Sequence, residues 1–284
     1  MATFTAACIQ LRSSKSLTDN TDQAEQLIRA AAREGATYVQ TPEMSNLLVK
    51  RREELLERIS VPEQDFFLQT ACRLALELGL FVHVGSLAVL TESGKAANRG
   101  FLIAPDGGIL ATYDKIHMFD VDLDNGESWR ESSTYEAGNQ AIVADLPFAR
   151  LGLAICYDIR FPAIFRSQSR AGAEILTAPA AFTRQTGKAH WHVLQRARAI
   201  ENGAFVVSAA QGGLHEDGRE TFGHSIVVDP WGNVIAELDS DEPGFVLAEI
   251  DTTAVEKARA RIPAIANERE FVCHVTESLK EEPA

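Results

Sequence analysis

What most constrains this chain is an alternation of strand-like and helix-like periods that runs through once and then runs through again. Phe4 to Leu11 reads as a strand. Thr18-Asp19-Asn20 then offer caps for a helix with Ala24, Leu27, Ile28 and Ala31 at helical spacing, stopped by Gly35. Thr37 to Gln40 is a second strand that ends at Thr41-Pro42-Glu43. Val49 to Ile59 and Pro62 to Leu78 read as helices, and Leu80 to Val89 as the next strand. Arg99 to Ala104 and Ile109 to Tyr113 flank Pro105-Asp106-Gly107-Gly108, a hairpin turn. A polar stretch from Phe119 to Gly138 has the length of a functional loop. The rhythm then returns, with a strand to Ile155, a helix from Pro162 to Ala171 and a strand from Glu174 to Ala178. A helix from Ala189 to Glu201 and a strand from Ala204 to Ala209 follow. Ser225 to Asp229 and Val234 to Glu237 flank a second hairpin turn, Pro230-Trp231-Gly232-Asn233, with Phe245 to Ile250 expected to pair beside it.

Two halves of the same kind, with no Pro- or Ser-rich linker between them, predict one α/β domain over residues 1–265. Its expected architecture is a four-layer α-β-β-α sandwich, although a doubly wound single sheet would show the same periods. The polar tail, residues 266–284, is expected to fray or to lie on a partner subunit. With 284 residues and 45% hydrophobic content, such a domain buries a full core without a metal or disulfide staple. Four scattered cysteines with no CxxC pair suit a reducing cytoplasm. A formal charge of -13 repels phosphate backbones, so nucleic acid is not an expected partner. The N-terminus lacks a basic and apolar leader pattern, and no stretch has membrane-spanning length, so a cytoplasmic protein without membrane contact is expected.

Chemistry is expected where strands end, because open α/β sheets place ligands at that edge. Cys156 stands where Leu151-Gly152-Leu153-Ala154-Ile155 breaks into Cys156-Tyr157-Asp158-Ile159-Arg160-Phe161-Pro162, between a strand and a helix. Turn N–H groups there would lower a thiol pKa and hold an oxyanion. Taken alone, such a cysteine also fits an inert core position. Glu43 and Lys115 follow two other strands, and each alone fits a solvated side chain. Together, a Lys-Glu-Cys trio has a definite use in cleaving a carbon-nitrogen bond. The carboxylate moves the thiol proton to a departing amine, and the ammonium stabilises negative charge. His190 and His192 do not share a helix face and bring no acidic ligand, so no metal is expected. A Cys-His pairing with His83, His117 or His224 would leave Glu43 and Lys115 without a role. No GxGxxG or P-loop opens a helix.

Thr41-Pro42-Glu43, Tyr113-Asp114-Lys115-Ile116-His117 and Cys156-Tyr157-Asp158-Ile159-Arg160-Phe161-Pro162 resemble, in order, the three motifs of the nitrilase, or carbon-nitrogen hydrolase, superfamily. The resemblance runs from about Phe4 to Pro263. It implies an α-β-β-α fold, a Glu43-Lys115-Cys156 triad and no cofactor. It also implies a second glutamate between the lysine and the cysteine. Glu131 matches that position by spacing, with Glu127 and Glu136 as alternatives. Ala163 departs from the family, which usually has glutamate after the proline. Tyr157, directly after the cysteine, resembles the branch that holds deaminated-glutathione amidases and omega-amidases. The stretches Thr186-Gly187-Lys188-Ala189-His190-Trp191, Ala209-Ala210-Gln211-Gly212-Gly213 and Gly223-His224-Ser225 look more like the former. This implies a cysteine-dependent amidase of small α-keto-acid amides, deaminated glutathione first and 2-oxoglutaramate second, working through a thioester. A carboxylate-bearing substrate calls for a cation. Arg160 is one candidate, with an internal pair to Asp158 or another acid as its alternative, and Phe182, Arg184 and Thr186 are further pocket candidates on the loop after the Glu174 to Ala178 strand. Homodimers paired through the helix after the nucleophile, Pro162 to Ala171, and the tail, or assemblies of such dimers, are expected. A binding protein on the same fold, without turnover, is the reading from another class.

Overall fold

The structure, a computed structural model, describes residues 3–122, 126 and 128–276. The first half contains β1 (Thr3–Gln10), α1 (Leu17–Arg33), β2 (Tyr38–Gln40), α2 (Arg52–Leu56), α3 (Phe66–Leu78), β3 (Phe81–Leu90), β4 (Ala96–Ile103) and β5 (Ile109–Asp114). Three short strands follow, β6 (Asp120–Asp122), β7 (Ser128–Arg130) and β8 (Tyr135–Glu136). The second half contains β9 (Ile142–Asp145), β10 (Arg150–Leu153), α4 (Pro162–Arg170), β11 (Ile175–Thr177), α5 (Arg184–Asn202) and β12 (Phe205–Ser208). It closes with β13 (Gly212–Leu214), β14 (Glu220–Phe222), β15 (Ile226–Val228), β16 (Val234–Glu237), β17 (Gly244–Asp251) and α6 (Thr253–Arg261).

Two sheets form. One has the order β17-β1-β2-β3-β4-β5 with β8 paired to β4; the other has the order β16-β15-β12-β11-β10-β9. Strand alternation explains why they stack. Phe4, Ala6 and Cys8 of β1 point into a cluster shared with Leu151, Leu153, Leu176 and Val206 of the second sheet. Ala7 and Ile9 point the other way, against Ile28 of α1 and Phe67, Leu68 and Leu74 of α3. Phe165 of α4 and Trp191 and Ala199 of α5 belong to the first cluster, so helices cover the outer face of each sheet. The four-layer sandwich follows from two sheets that each carry apolar side chains on both faces.

Several boundaries differ from the sequence expectation. Phe245 to Ile250 does not pair beside the β15-β16 hairpin; β17 runs antiparallel to β1, from Thr3↔Asp251 to Gln10↔Gly244. Val246, Ala248 and Ile250 face one core while Phe245 and Leu247 pack against the other, which the edge position beside β1 allows. The expected helix from Val49 to Ile59 shrinks to Arg52–Leu56. Its apolar lead-in is pinned along β3, where the Asn46 side chain accepts from Ala88 N–H and donates to Ala88 C=O, each at 2.9 Å. The Pro62 helix divides into one 3-10 turn and α3, which starts at Asp65 because that carboxylate caps the Leu68 N–H. Helix α1 is likewise capped by Ser16 rather than by residues 18–20. Helix α5 begins at Arg184, five residues before the expected Ala189, capped by Thr183.

Candidate active site

Three chain segments leave the sheets at one edge, and each is held by its neighbours rather than by its own propensity. After β2, Thr41 donates its N–H to His83 C=O at 3.0 Å, and Ser45 Oγ donates to Thr41 Oγ1 and Pro42 O. Met44, just past Glu43, has φ 56, a left-handed conformation rare outside glycine. After β5, Lys115 donates its N–H to Asn98 C=O at 3.0 Å and accepts from Gly138 N–H at 2.8 Å. After β10, Cys156 has φ 47 and opens a 3-10 turn, Cys156–Arg160. Backbone strain of this kind persists where surrounding contacts fix it, and its N–H is held by Pro179 C=O at 2.9 Å.

Asp158 binds two of these segments together. Fully buried, it accepts from Ile155 N–H at 2.9 Å and Tyr113 OH at 2.7 Å, and its other oxygen meets His117 N–H and Nδ1. The turn that carries Cys156 is therefore anchored to the strand end that carries Lys115. It also answers one open alternative: Asp158 is occupied and does not pair with Arg160.

The functional groups converge at buried positions. Glu43 and Lys115 are 4% and 2% exposed. Glu43 Oε1 accepts from Lys115 Nζ at 2.9 Å and from Asn98 Nδ2 at 2.9 Å, while Oε2 accepts from Ala181 N–H at 2.8 Å. Cys156 lines the same cavity as Glu43, and the Glu43 charge acts on its thiol. Glu131 grips Lys115 Nζ with both oxygens, at 3.0 and 2.8 Å, and accepts from Phe119 N–H at 2.7 Å and Asn98 Nδ2 at 3.1 Å. Glu136 instead accepts from Ser93 on the surface, and Glu127 lies outside the described residues.

Electrostatics fixes the resting protonation. Burial raises the Glu43 carboxyl, but the charge and hydrogen bond of Lys115 outweigh it and bring the group below its ordinary value. Burial works against the Lys115 ammonium, yet Glu131 and Glu43 hold its pKa well above the usual lysine range. Burial drives the Cys156 thiol well above its ordinary value, and the Glu43 charge pushes the same way against Lys115. This corrects the expected low thiol pKa: the Lys115 ammonium is already shared by two carboxylates, and burial disfavours the thiolate. The resting site is a thiol beside a carboxylate with an ammonium behind it.

A cavity of about 290 Å³ opens over Cys156. Of the expected pocket residues, Tyr157, Phe182 and Thr186 line it. Arg160 and Arg184 do not. Arg160 lies behind the wall, over the Tyr157 and Phe182 rings at 5.9 and 5.3 Å, with His190 at 3.3 Å. Arg184 and Thr186 sit in the first turn of α5 rather than on a loop, and the Arg184 guanidinium is held by Asp241 and by Glu220 at 3.3 Å. Sequence reasoning missed Asn98, Trp129 and Arg219. Asn98 carried a signal, an amide inside the apolar run Ala96-Ala97-Asn98. Arg219 carried none, since it follows Asp217-Gly218 and reads as a surface turn. Its guanidinium stacks on Trp129 at 4.5 Å at the cavity wall and pairs with Asp217 at 3.5 Å, and its buried Nε has no hydrogen-bond partner among the described residues.

Known proteins share this arrangement of chain. A sequence model of the carbon-nitrogen hydrolase family matches residues 5–260. A Synechocystis protein named deaminated glutathione amidase is 40% identical over 275 residues, 96% of this chain and 100% of its own length. A human protein of the same name is 37% identical over 268 residues, 93% of this chain and 81% of its own. Among solved structures, the Caenorhabditis elegans NitFhit protein superposes with a TM-score of 0.88 at 34% identity over 95% of this chain, which spans 66% of that longer polypeptide. Saccharomyces cerevisiae Nit3, described as a member of branch 10 of the nitrilase superfamily, gives 0.82 at 27% identity over 92% of this chain and 94% of its own.

Proposed function

Because this chain belongs to the carbon-nitrogen hydrolase family and is an amide-cleaving hydrolase, we propose that it hydrolyses the carboxamide of a small α-keto-acid amide through a Cys156 thioester, with deaminated glutathione as first substrate. The observation that carries the mechanism is one buried carboxylate, Glu43, that bonds the Lys115 ammonium at 2.9 Å and shares the cavity with the Cys156 thiol, on which its charge acts. Glu43 takes the thiol proton as sulfur attacks the amide carbon. Lys115 Nζ and the Tyr157 N–H hold the oxyanion. Glu43 hands its proton to the departing nitrogen, ammonia leaves, and the thioester remains. The same carboxylate then removes a proton from water, which attacks the thioester carbon and releases the acid and the thiol. Glu131 and Asn98 act as positioning groups that hold Lys115 and Glu43 in register. No step calls for a cofactor.

The substrate's carboxylate is the second requirement, and Arg219 supports it better than Arg160. It is a cation in the cavity wall that is paired with Asp217 at 3.5 Å and still has a buried Nε without a hydrogen-bond partner among the described residues, whereas Arg160 lies behind aromatic rings. We also propose a homodimer in which a second copy covers α4 and the tail. Glu268 of the tail pairs with Arg170 of α4 at 3.0 Å, and beside it Phe271 and Val275 are 89% and 91% exposed. The proposed compartment is the cytoplasm, supported by four cysteines that are all free. Among the described residues no helix is long and apolar enough to cross a membrane.

The test is ammonia release from deaminated glutathione, 2-oxoglutaramate, an aliphatic amide, a nitrile and an N-carbamoyl amino acid, with Cys156→Ala as blank. A Cys156-dependent preference for deaminated glutathione supports the reading. Preference for 2-oxoglutaramate moves the substrate and keeps the chemistry, and silence on all five favours a binding protein.

A further inference from the structure

Outside the cavity, three elements bring His192, His224 and Glu237 together. His192 lies on α5, His224 on the segment between β14 and β15, and Glu237 at the end of β16. Glu237 Oε1 meets His192 Nε2 at 2.7 Å and His224 Nδ1 at 2.8 Å, and the three ligand atoms lie within 4.8 Å of one another. One carboxylate oxygen is thus shared by two imidazole nitrogens. Asp239 Oδ1 stands 3.7 Å from His224 Nδ1, a fourth oxygen on the solvent side.

The histidine is placed with unusual care for a surface residue. His224 has φ 58, its N–H donates to Ser240 C=O at 3.2 Å, and its C=O accepts from Trp191 Nε1 at 2.8 Å. The Phe222 ring stacks on its imidazole at 4.2 Å. A non-glycine residue held in the left-handed region, with both backbone groups and its ring fixed, presents its nitrogen in one direction. The sequence argument against a metal had considered His190 with His192, and His190 does turn away to Arg160. His192 instead finds its co-ligands 32 and 45 positions along the chain, beyond the reach of any helical spacing.

We propose that His192, His224 and Glu237 form a binding site for a divalent first-row transition metal, with zinc the first candidate, Asp239 or water completing the set. Two imidazoles and a carboxylate with an open position are a zinc-type donor set. In a tetrahedral site, ligand atoms about 2.0–2.1 Å from the ion stand roughly 3.3 Å apart. The two Glu237–histidine distances, 2.7 and 2.8 Å, need to lengthen by only about half an ångström, and the histidine nitrogens lie within 4.8 Å of each other, adjustments open to partly exposed side chains. The ion takes the place of the two N–H hydrogens, each neutral ring moving its proton to its other nitrogen. The bound ion would cross-link α5 to β16, and through Trp191 it would brace Phe182 at the cavity wall, whose ring is 5.2 Å from that indole.

Zinc and cobalt(II) titrations of tag-free, metal-stripped protein test the site, in the Cys156→Ala background so that the active-site thiol cannot ligate. Calorimetry is expected to show one equivalent of zinc, cobalt is expected to give a visible ligand-field spectrum, and zinc is expected to raise the melting temperature. His192→Ala, Glu237→Gln and His224→Asn are each expected to weaken binding at least about tenfold, asparagine being chosen because it tolerates left-handed backbone. Circular dichroism checks that each variant is folded. Absence of saturable zinc binding by the parent overturns the proposal, as does binding that folded variants all retain.

Discussion

At Glu43 one carboxylate has two demands on it. It is held anionic by Lys115 and must still accept a proton from Cys156, whose thiol is kept neutral by burial and by that same negative charge. A thiol that stays protonated until a base takes the proton is inert to stray electrophiles and reactive when an amide is bound. Glu43→Gln is expected to leave the melting temperature near that of the parent and to lower kcat by about 10²–10⁴-fold, with acyl-enzyme formation slowed equally. Near-normal turnover would remove Glu43 as the base. Arg219 belongs to the same scale. Arg219→Gln is expected to raise KM for a carboxylate-bearing amide by roughly 10- to 100-fold while changing KM for an uncharged aliphatic amide little, as steady-state kinetics on the two substrates would show. An equal rise for both would assign Arg219 to packing on Trp129.

At the scale of the element, the positions of the reacting groups are set by close backbone contact. Gly85 lies at the irregularity in β3 between Val84 and Leu87, and a methyl there would sit 2.1 Å from Thr41 O and 2.5 Å from Pro179 Cβ. Thr41 leads to Glu43 and Pro179 holds the Cys156 N–H, so one glycine sets the spacing of the base and the nucleophile. Gly85→Ala is expected to cost about 1–3 kcal/mol in denaturant unfolding and to depress kcat far beyond that loss of folded protein. Full activity per folded molecule would show the two segments to be independent. Such contacts explain what was legible in sequence and what was not. Glu43, Lys115 and Cys156 were legible because each ends a strand inside a local motif. Asn98 and Arg219 enter the site through tertiary approach, from a mid-strand and a distant turn, and no local period reports that. The start of α5 was misplaced because Thr183 caps a helix whose first turn lacks an apolar stripe. The place of β17 was misread because strand order depends on burial of both its faces, not on which strand precedes it.

Across the whole molecule, the sheets are joined by buried polar ties as well as by apolar contact. His83 lies between them with Tyr38 OH at 2.8 Å and Gln40 at 3.1 Å, and Gln40 in turn accepts from Ala209 N–H of the second half at 2.7 Å. Burial lowers the His83 pKa to about 3, and burial likewise lowers that of His215 to about 4. Both rings stay neutral in the folded protein while an unfolded chain protonates them below about 6.5. Their contribution to stability is therefore complete above that value and declines as pH falls. Between about pH 6 and 5, unfolding free energy is expected to drop by up to about 1.4 kcal/mol per pH unit for each histidine, measured by denaturant titration. His83→Gln should flatten that slope; an unchanged slope would place the protons elsewhere. The pairing of β17 with β1 has a consequence for how the chain comes into being. The first strand of this domain, from Thr3, waits for the domain's last, ending at Asp251, so a ribosome must deliver nearly the entire domain before that ladder closes. Until then β1 is an open edge on a nascent polypeptide, which makes late synthesis the interval in which chaperone capture or aggregation is decided.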